Sequence, residues 1–191
     1  RSSDLAKIEE DMENMRKHVL KYNSIDDEDI LDIVKGKKTK ADSVKGVIIY
    51  SIYGQKKDKV VLVRQYRYTL GDYIYEFPAG LVEPGEDFHE GAVREMYEET
   101  GLKLEPLKVD SAFEKPYFTT VGMTDESCAT VYGYASGEIS KAAQEDSEEI
   151  EIVLADRTEV KRILKEERVA IMCAYMLMHF LKDEDPFEFL N

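Results

Sequence analysis

The sequence predicts an α/β fold in which helices pack on a mixed sheet, with a helical appendage at the N-terminus. Between residues 41 and 182, runs of β-branched and aromatic residues alternate with amphipathic stretches that carry helix-capping signals. The same region contains no internal repeat and no proline-rich linker, and the 191 residues suffice for one domain with a full core. We therefore predict an appendage over residues 1–40 and a single domain over residues 41–191.

The first predicted element is an amphipathic helix, because apolar residues from Leu5 to Val19 recur at steps of three and four. "ILDIVKG", from Ile30, is a possible short strand. The stretches "SVKGVIIYSIY" and "KVVLVRQYRY" are typical of strands, and the turn-like "GQKKD" between them indicates a hairpin. "YIYEFP" is a further predicted strand, which ends at Pro78.

A helix is predicted from Asp87 to Thr100, since Asp87 and Glu90 have capping-box spacing and Gly101 is a C-terminal cap signal. Later strands are predicted in "LKVDSAFE", "ESCATVYGYAS" and "EEIEIVLA". Two helices complete the domain, one that runs from Asp156 toward Glu167 and one from about Arg168 to Lys182.

Composition excludes some classes of partner. Acidic residues outnumber basic ones 40 to 26, and a net charge of −14 disfavours non-specific binding to nucleic acid or to anionic membranes. Cys128 and Cys173 belong to no motif, which indicates a reducing compartment. No signal peptide is apparent, and the apolar run from Ile171 is too short to cross a bilayer. We expect a cytoplasmic protein without nucleic-acid or membrane partners.

The segment "GLVEPGEDFHEGAVREMYEETGL", from Gly80 to Leu102, is unusually rich in carboxylates. On a helix, Glu95 and Glu99 lie one above the other with Glu98 beside them. Such oxygen ligands suit Mg²⁺ or Mn²⁺ that share their coordination with substrate phosphates. The alternative is a solvated acidic face, but like charges four residues apart cost stability, which favours a cation site.

The other residues of this helix are predicted to divide between two roles. Gly91 and Ala92 are small, and we expect them to let a ligand approach the carboxylates. Val93, Met96 and Tyr97 lie on the other side and are expected to anchor the helix to the core. His89, on the first turn, is expected to be exposed.

This segment resembles the Nudix box, with all of its fixed positions present: Gly80, Glu86, Arg94, Glu95, Met96, Tyr97, Glu98, Glu99, Thr100, Gly101 and Leu102. The resemblance implies the Nudix fold, an α/β/α sandwich, and hydrolysis of a nucleoside diphosphate linked to another group. It further implies that Glu95, Glu99 and the Ala79 carbonyl bind Mg²⁺ or Mn²⁺, more than one ion per site, with Glu98 close by. Arg94 would pair with Glu86 and hold the loop against the helix, while Gly80 and Gly101 are structural.

Beyond the box, "VVLVRQYRY" and "YEFPAGLVEPGE" resemble the ADP-ribose pyrophosphatase group. The resemblance implies that Arg67 binds substrate phosphate, that Leu81 contacts substrate through its backbone, and that Glu126 belongs to the substrate site. Arg67 also has an independent case, since a guanidinium binds phosphate bidentately, although a surface salt bridge is the alternative. Some members stack adenine on Trp, which this chain lacks; the rings that could replace it are those of Tyr66, Tyr68, Tyr73 and Phe118.

A general base is expected in the acidic loop "QEDSEEIEIV", by the same resemblance. Glu148 aligns best and would also serve as a metal ligand, with Glu145 and Asp146 as alternatives and a solvated loop as the other interpretation. Members of the group are commonly homodimers, and the helix from Leu5 to Val19 is a candidate dimer element.

The expected activity is hydrolysis of ADP-ribose or a related nucleoside diphosphate sugar to AMP, or another nucleoside monophosphate, and a sugar phosphate. One alternative is hydrolysis of another diphosphate such as GDP-mannose, a dinucleotide or a flavin dinucleotide. The other is a non-catalytic sensor of nucleotide sugars, which the intact box and the lack of a basic DNA-binding segment disfavour.

Overall fold

The computed structural model describes residue 44 and residues 46–124, 126–144 and 150–190. The predicted helix from Leu5 to Val19 and the possible strand from Ile30 lie outside the described residues, as do Glu145, Asp146 and Glu148. The chain divides into two compact units. Residues 67–72 group with residues 1–42, and residues 43–66 and 73–191 form the larger unit.

The described part of the smaller unit is a tight turn. The amides of Leu70 and Gly71 both donate to the carbonyl of Arg67 at 2.9 Å. Gly71 has a φ of 62°, a left-handed conformation that glycine adopts at little cost. This turn lies between the end of the second strand and the start of the third.

The described residues form the following strands and helices. The strands are β1 (Gly46–Tyr53), β2 (Lys59–Arg67), β3 (Asp72–Glu76), β4 (Ala79–Leu81), β5 (Lys103–Pro106), β6 (Tyr117–Phe118), β7 (Ser127–Ser136) and β8 (Ile150–Ala155). The helices are α1 (Phe88–Thr100), α2 (Ser111–Glu114), α3 (Arg157–Glu166) and α4 (Ile171–Lys182), followed by a 3-10 helix (Glu188–Leu190).

The strands form a mixed sheet in the order β3-β2-β1-β7-β5, with β4 beside β1, β6 beside β7 and β8 beside β2. Strands β1 and β7 are parallel, from the pair Gly46 and Cys128 to the pair Tyr53 and Ala135. The pairs that β1 makes with β2 and with β4 are antiparallel, as are those of β8 with β2. Because β4 pairs with the start of β1, it lies beside the centre of the sheet.

Both faces of the sheet are covered by helices. Along β1, Val47 and Ile49 pack against the side of α1, whereas Tyr50 and Ile52 pack against α3 and α4 on the opposite face. This alternation is the period of a strand that is buried on both sides. The predicted α/β/α sandwich with a mixed sheet is therefore confirmed.

One predicted strand is wrong. "LKVDSAFE", from Leu107 to Glu114, contains no strand, and its second half is the short helix α2. Asp110 starts this helix, because its side chain accepts the amide of Ala112 at 2.8 Å and so acts as an N-cap. The predicted hairpin of the first two strands, the helix after Asp87 and the two C-terminal helices are all present.

No helix within the described residues has the length and apolar character that crossing a membrane requires. Neither cysteine forms a disulfide: Cys173 is buried in α4, and Cys128 lies in β7. Burial raises the pKa of the Cys128 thiol to about 12, so this group stays protonated and unreactive at neutral pH.

Candidate active site

Helix α1 carries the part of the box from Phe88 to Thr100, and both of its ends are fixed by local hydrogen bonds. Asp87 is the N-cap, with Oδ1 accepting the amide of His89 at 2.9 Å. At the other end Gly101 has a φ of 74°, and its amide donates to the carbonyl of Tyr97 at 2.8 Å. Glycine closes the helix here because the left-handed conformation is strained for other residues.

The structure corrects the predicted division of α1 into faces. Val93 and Tyr97 are 39% and 55% exposed, so neither anchors the helix, whereas Met96 is fully buried as predicted. Gly91 and Ala92, expected to line a ligand approach, are buried. Ala92 packs with Met96 against the sheet, and its small side chain fits the close contact between helix and strands.

Glu99 lies on this packed face and is 6% exposed. Its Oε2 accepts the amide of Ala79, in β4, at 3.2 Å. The carboxylate is therefore turned toward the strand, although the predicted division of the helix placed it on the side away from the core. Since a buried carboxylate needs a partner, the interaction with Ala79 helps to define its position.

Glu95 is held against the next residue of the same strand. A Cβ added to Gly80 would lie 1.9 Å from the carboxyl carbon of Glu95 and 2.2 and 2.3 Å from its two oxygens. Only glycine leaves that space free, so Gly80 provides a cradle for the carboxylate. Glu95 and Glu99 are thus brought to adjacent residues of β4 from successive turns of one helix.

Arg94 holds the preceding loop and the helix together through five hydrogen bonds. It binds Glu86 bidentately, with both nitrogen–oxygen distances 3.0 Å, and donates to the carbonyl of Leu81 at 2.9 Å. It also donates to Glu95 at 2.8 Å and to Glu98 at 3.0 Å. Leu81 is expected to contact substrate through its backbone, and in the structure its carbonyl accepts from this guanidinium.

These contacts shift the ionisation of the loop carboxylate. Hydrogen bonds from Arg94, together with the amide of Glu83 at 2.9 Å, lower the pKa of Glu86 from 4.5 to about 2. The pKa of Arg94 is raised, chiefly by its hydrogen bonds to Glu86. The pair is charged throughout the physiological range, and it fixes the loop over residues 83–86 against α1.

The donor atoms present suit a hard divalent cation. Glu95 and Glu99 supply carboxylate oxygens beside the backbone of β4, which is the ligand chemistry of Mg²⁺ and Mn²⁺. In the part of the chain that the structure describes, no three His, Cys, Asp or Glu side chains form a complete metal cluster. Glu148, Glu145 and Asp146 lie outside that part of the chain.

The remaining predicted residues lie on other elements. Arg67 ends β2, in the smaller unit. Glu126 precedes β7, and its Oε2 accepts the hydroxyl of Thr119 at 2.5 Å. Tyr66 and Tyr73 contact each other edge to face, with ring centroids 5.3 Å apart, and Phe118 is 51% exposed in β6.

His89 makes a bridge that the sequence did not indicate. Its Nε2 lies 2.9 Å from Oε1 of the buried Glu114 in α2, and its Nδ1 lies 3.1 Å from Asp87. Partial burial opposes the charged ring, but hydrogen bonds and charge from Glu114 and Asp87 outweigh it, so the pKa of His89 is raised. The prediction of an exposed side chain missed this link between α1 and α2, since Glu114 is remote in sequence.

Comparisons with known proteins identify the domain that carries these residues. The model of the NUDIX domain matches residues 42–173. A methanol dehydrogenase activator of Bacillus methanolicus is 30% identical over 74% of this chain and 75% of its own length. An ADP-ribose pyrophosphatase of Bacillus subtilis is 33% identical over half of each chain. The ADP-sugar pyrophosphatase of Mus musculus is 41% identical over 41% of this chain and 34% of its own length.

Solved structures show the same fold. A hydrolase of the NUDIX family from Clostridium perfringens superposes with a TM-score of 0.53 at 17% identity, covering 75% of this chain and 99% of that one. Several curated relatives are matched over only part of their length, such as 52% of a putative nudix hydrolase of Caenorhabditis elegans. The family match covers well over half of the chain and includes every residue of the box, and the chain belongs to the NUDIX domain family.

Proposed function

We propose that this protein hydrolyses the diphosphate linkage of ADP-ribose or a related nucleoside diphosphate sugar, giving AMP, or another nucleoside monophosphate, and a sugar phosphate. The observation that carries the proposal is the placement of Glu95 and Glu99 against adjacent residues of β4, one in the Gly80 cradle and one bonded to the Ala79 amide. Relatives named as ADP-ribose and ADP-sugar pyrophosphatases support the substrate class.

Nudix hydrolases in general need divalent metal ions. Here Glu95, Glu99 and the Ala79 carbonyl would hold Mg²⁺ or Mn²⁺, and Glu148 would add a ligand for more than one ion. When bound, the ions neutralise charge on the diphosphate and make the attacking water more acidic. In a chain with a net charge of −14, metal cations or locally placed Arg side chains would supply the counter-charge for an anionic substrate.

The other residues of the site bind and orient. Arg94 holds Glu95 through one of its N–H groups, and Glu98 is fixed to the same guanidinium. Arg67 would bind the diphosphate through its fork of donors, and Glu126 and the backbone of Leu81 would contact the substrate. Glu148 would accept the proton of the attacking water, with Glu145 and Asp146 as alternatives.

A second candidate is hydrolysis of a different diphosphate derivative, such as a dinucleotide. The relative matched over 74% of this chain is named as an activator of methanol dehydrogenase, rather than as a pyrophosphatase, so the names of the relatives do not all point to one substrate. The two candidates share the box and differ only in the group that is attached to the diphosphate.

The oligomeric state and location are part of the proposal. We expect a homodimer in the cytoplasm, with the segment from Leu5 to Val19 in the interface. The solution mass of the full chain, compared with that of a chain starting at Ala41, tests the interface. If the truncated chain is still a dimer, the segment from Leu5 to Val19 does not form the interface.

The activity is tested with a panel of diphosphates in Mg²⁺ and in Mn²⁺, with products identified by mass spectrometry. ADP-ribose should give AMP and ribose phosphate, and cleavage of a dinucleotide alone would favour the second candidate. Glu99→Gln should lower kcat on the order of 100-fold or more, because it removes a charged ligand. The carboxamide has the same size and can still accept the Ala79 amide, so the melting temperature should change little.

Glu90→Gln is a matched control for that variant, since Glu90 is exposed on the first turn of the same helix. It should retain wild-type activity. Near-normal hydrolysis by Glu99→Gln, or hydrolysis that is unaffected by chelation of divalent ions, would contradict the proposed site.

A further inference from the structure

The C-terminal end of α1 is held by the segment that follows β7. The amide of Ser140 donates to the carbonyl of Thr100 at 2.9 Å, and the side-chain amide of Gln144 donates to the carbonyl of Glu99 at 2.6 Å. The last carbonyls of a helix have no partner within the helix, so these bonds supply what the helix itself lacks. We refer to residues 140–144 as the clamp.

The clamp is closely fitted to the helix end. A Cβ added to Gly101 would lie 2.6 Å from the Cβ of Ser140, so the two backbones are as near as glycine permits. Within the clamp, the amide of Gln144 donates to the carbonyl of Lys141 at 3.3 Å, and that of Ala142 to the hydroxyl of Ser140 at 3.2 Å. These turns direct the Gln144 side chain back to the helix.

The partner of Gln144 also fixes which end of its amide faces the helix. A main-chain carbonyl can only accept a hydrogen bond, so the NH₂ group must face it. The bond therefore requires a donor at position 144, and an acceptor of the same shape could not replace it.

The carbonyl that Gln144 binds belongs to Glu99. The carboxylate of the same residue accepts the amide of Ala79, so Glu99 is held at its backbone by the clamp and at its side chain by β4. Helix ends otherwise fray, and loss of the last turn would move the carboxylate away from the strand.

We propose that Gln144 is a positioning residue, which keeps Glu99 in place for cation binding by holding the last turn of α1. This inference rests on the proposed function, because it assigns Glu99 to the cation site. Gln144 acts through Glu99 and does not itself touch the reacting atoms.

The test uses the full chain and Mn²⁺ alone, without substrate. Gln144→Met keeps the length of the side chain but removes its donor, and Gln144→Glu replaces the donor with an acceptor. Mn²⁺ binding is followed by electron paramagnetic resonance of the free ion, and kcat and KM are measured separately. Lys141→Met is the control, since Lys141 is exposed on the same turn.

Gln144→Met should bind Mn²⁺ about three- to ten-fold more weakly, the range that loss of one hydrogen bond supports. Gln144→Glu should be weaker still, because its carboxylate would face a carbonyl at the negative end of the helix. kcat should fall in the same order at saturating substrate, while KM changes by less than about two-fold. Lys141→Met should match the wild type in each measurement.

The measurements separate positioning from mere stabilisation. A lower melting temperature for Gln144→Met with unchanged Mn²⁺ affinity would overturn the proposal, and so would equal Mn²⁺ affinities for the Met and Glu variants. A wild-type protein that hydrolyses no diphosphate and binds no Mn²⁺ would overturn the proposed function together with this inference. Wild-type hydrolysis with unaffected Gln144 variants would overturn this inference alone.

Discussion

Replacing Gly80 with alanine tests whether the cradle for Glu95 matters for catalysis. Real Cβ atoms essentially never approach other heavy atoms within 3.0 Å, and here the new Cβ would lie 1.9 Å from the carboxyl carbon. That carbon must therefore move by at least about 1.1 Å, which is the difference between the two distances. The obstructing group is the end of a flexible side chain, so the backbone of β4 can remain where it is.

The cost to stability should be small and the cost to activity large. A Glu95 side chain forced away from its preferred rotamer costs roughly 0.5–1.5 kcal/mol. Alanine leaves the unfolded chain less conformational freedom than glycine does, which stabilises the folded state by about 0.4–1 kcal/mol. The net change should therefore stay within about 1 kcal/mol, a shift in melting temperature of roughly 2–4 °C. In contrast, a displacement of about 1 Å in a catalytic group can lower the rate about 100-fold.

The assay is a double-mutant cycle on kcat for diphosphate hydrolysis. In the wild-type background, Gly80→Ala should lower kcat about 100-fold, but in a Glu95→Ala background it should change kcat by less than about two-fold. Gly122→Ala is the control for stability, since no atom lies within 4 Å of its added Cβ. Equal losses in the two backgrounds would refute the reasoning, because the effect would not then pass through Glu95.

Three further predictions concern two charged pairs, Arg94 with Glu86 and His89 with Glu114. Arg94→Lys keeps the charge but loses the bidentate fork on Glu86, and it should lower the free energy of unfolding in urea by about 1.5–3 kcal/mol. The pKa of Glu86 is lowered from 4.5 to about 2, so its contribution to the free energy of unfolding is fully present above pH 4.5 and is lost as the pH falls toward 2. Glu86→Gln should reduce the loss of stability over that acidic range. The pKa of His89 is raised from 6.5, so its bridge to Glu114 should stabilise the fold fully below pH 6.5 and lose that contribution as the pH rises through the raised value. His89→Gln should remove this dependence in thermal unfolding.

The prediction for His89 has a matched control. His179 is half exposed on α4, and His179→Gln should leave the pH dependence above 6.5 as it is in the wild type. A wild-type melting temperature that does not change between pH 6.5 and 8 would argue against the bridge. Unchanged unfolding of Arg94→Lys would show that the fork adds nothing beyond its charge.

Features that depend on neighbours in sequence were predictable. The start of α1 at Asp87 and its end at Gly101 follow from capping chemistry, and both are present. The alternation of strand and helix patterns was sufficient for the α/β class. In each case the signal and the structure that it predicts lie within a few residues of each other.

The faces of α1 were not predictable in the same way. Apolar and acidic residues occur on every side of this helix, so its pattern does not select one stripe. The buried stripe is set by where the sheet lies, and it runs through Ala92, Met96 and Glu99. A carboxylate on that stripe is the opposite of what an amphipathic pattern favours, and Glu99 can lie there because it finds its partner in β4.

Long-range partners left no local signal at all. Glu114 lies 25 residues from His89, and Gln144 lies 45 residues from Glu99. Neither pair has a spacing that a helix or a turn would produce, so only the folded chain brings them together. The helix after Asp110 is a different case, because the bond that caps it is local and joins Asp110 to the amide of Ala112.

Arg94 supplies positive charge that offsets the repulsion among the acids of the box. Its guanidinium binds two oxygens of Glu86 but contacts only one oxygen of Glu95 and one of Glu98. A bidentate pair is stronger than a single contact, so Arg94 binds Glu86 more strongly than it binds Glu95. A divalent cation that competes with Arg94 would therefore draw on Glu95 before Glu86. Removing divalent ions should leave the loop in place, since the pair that fixes it belongs to the protein itself.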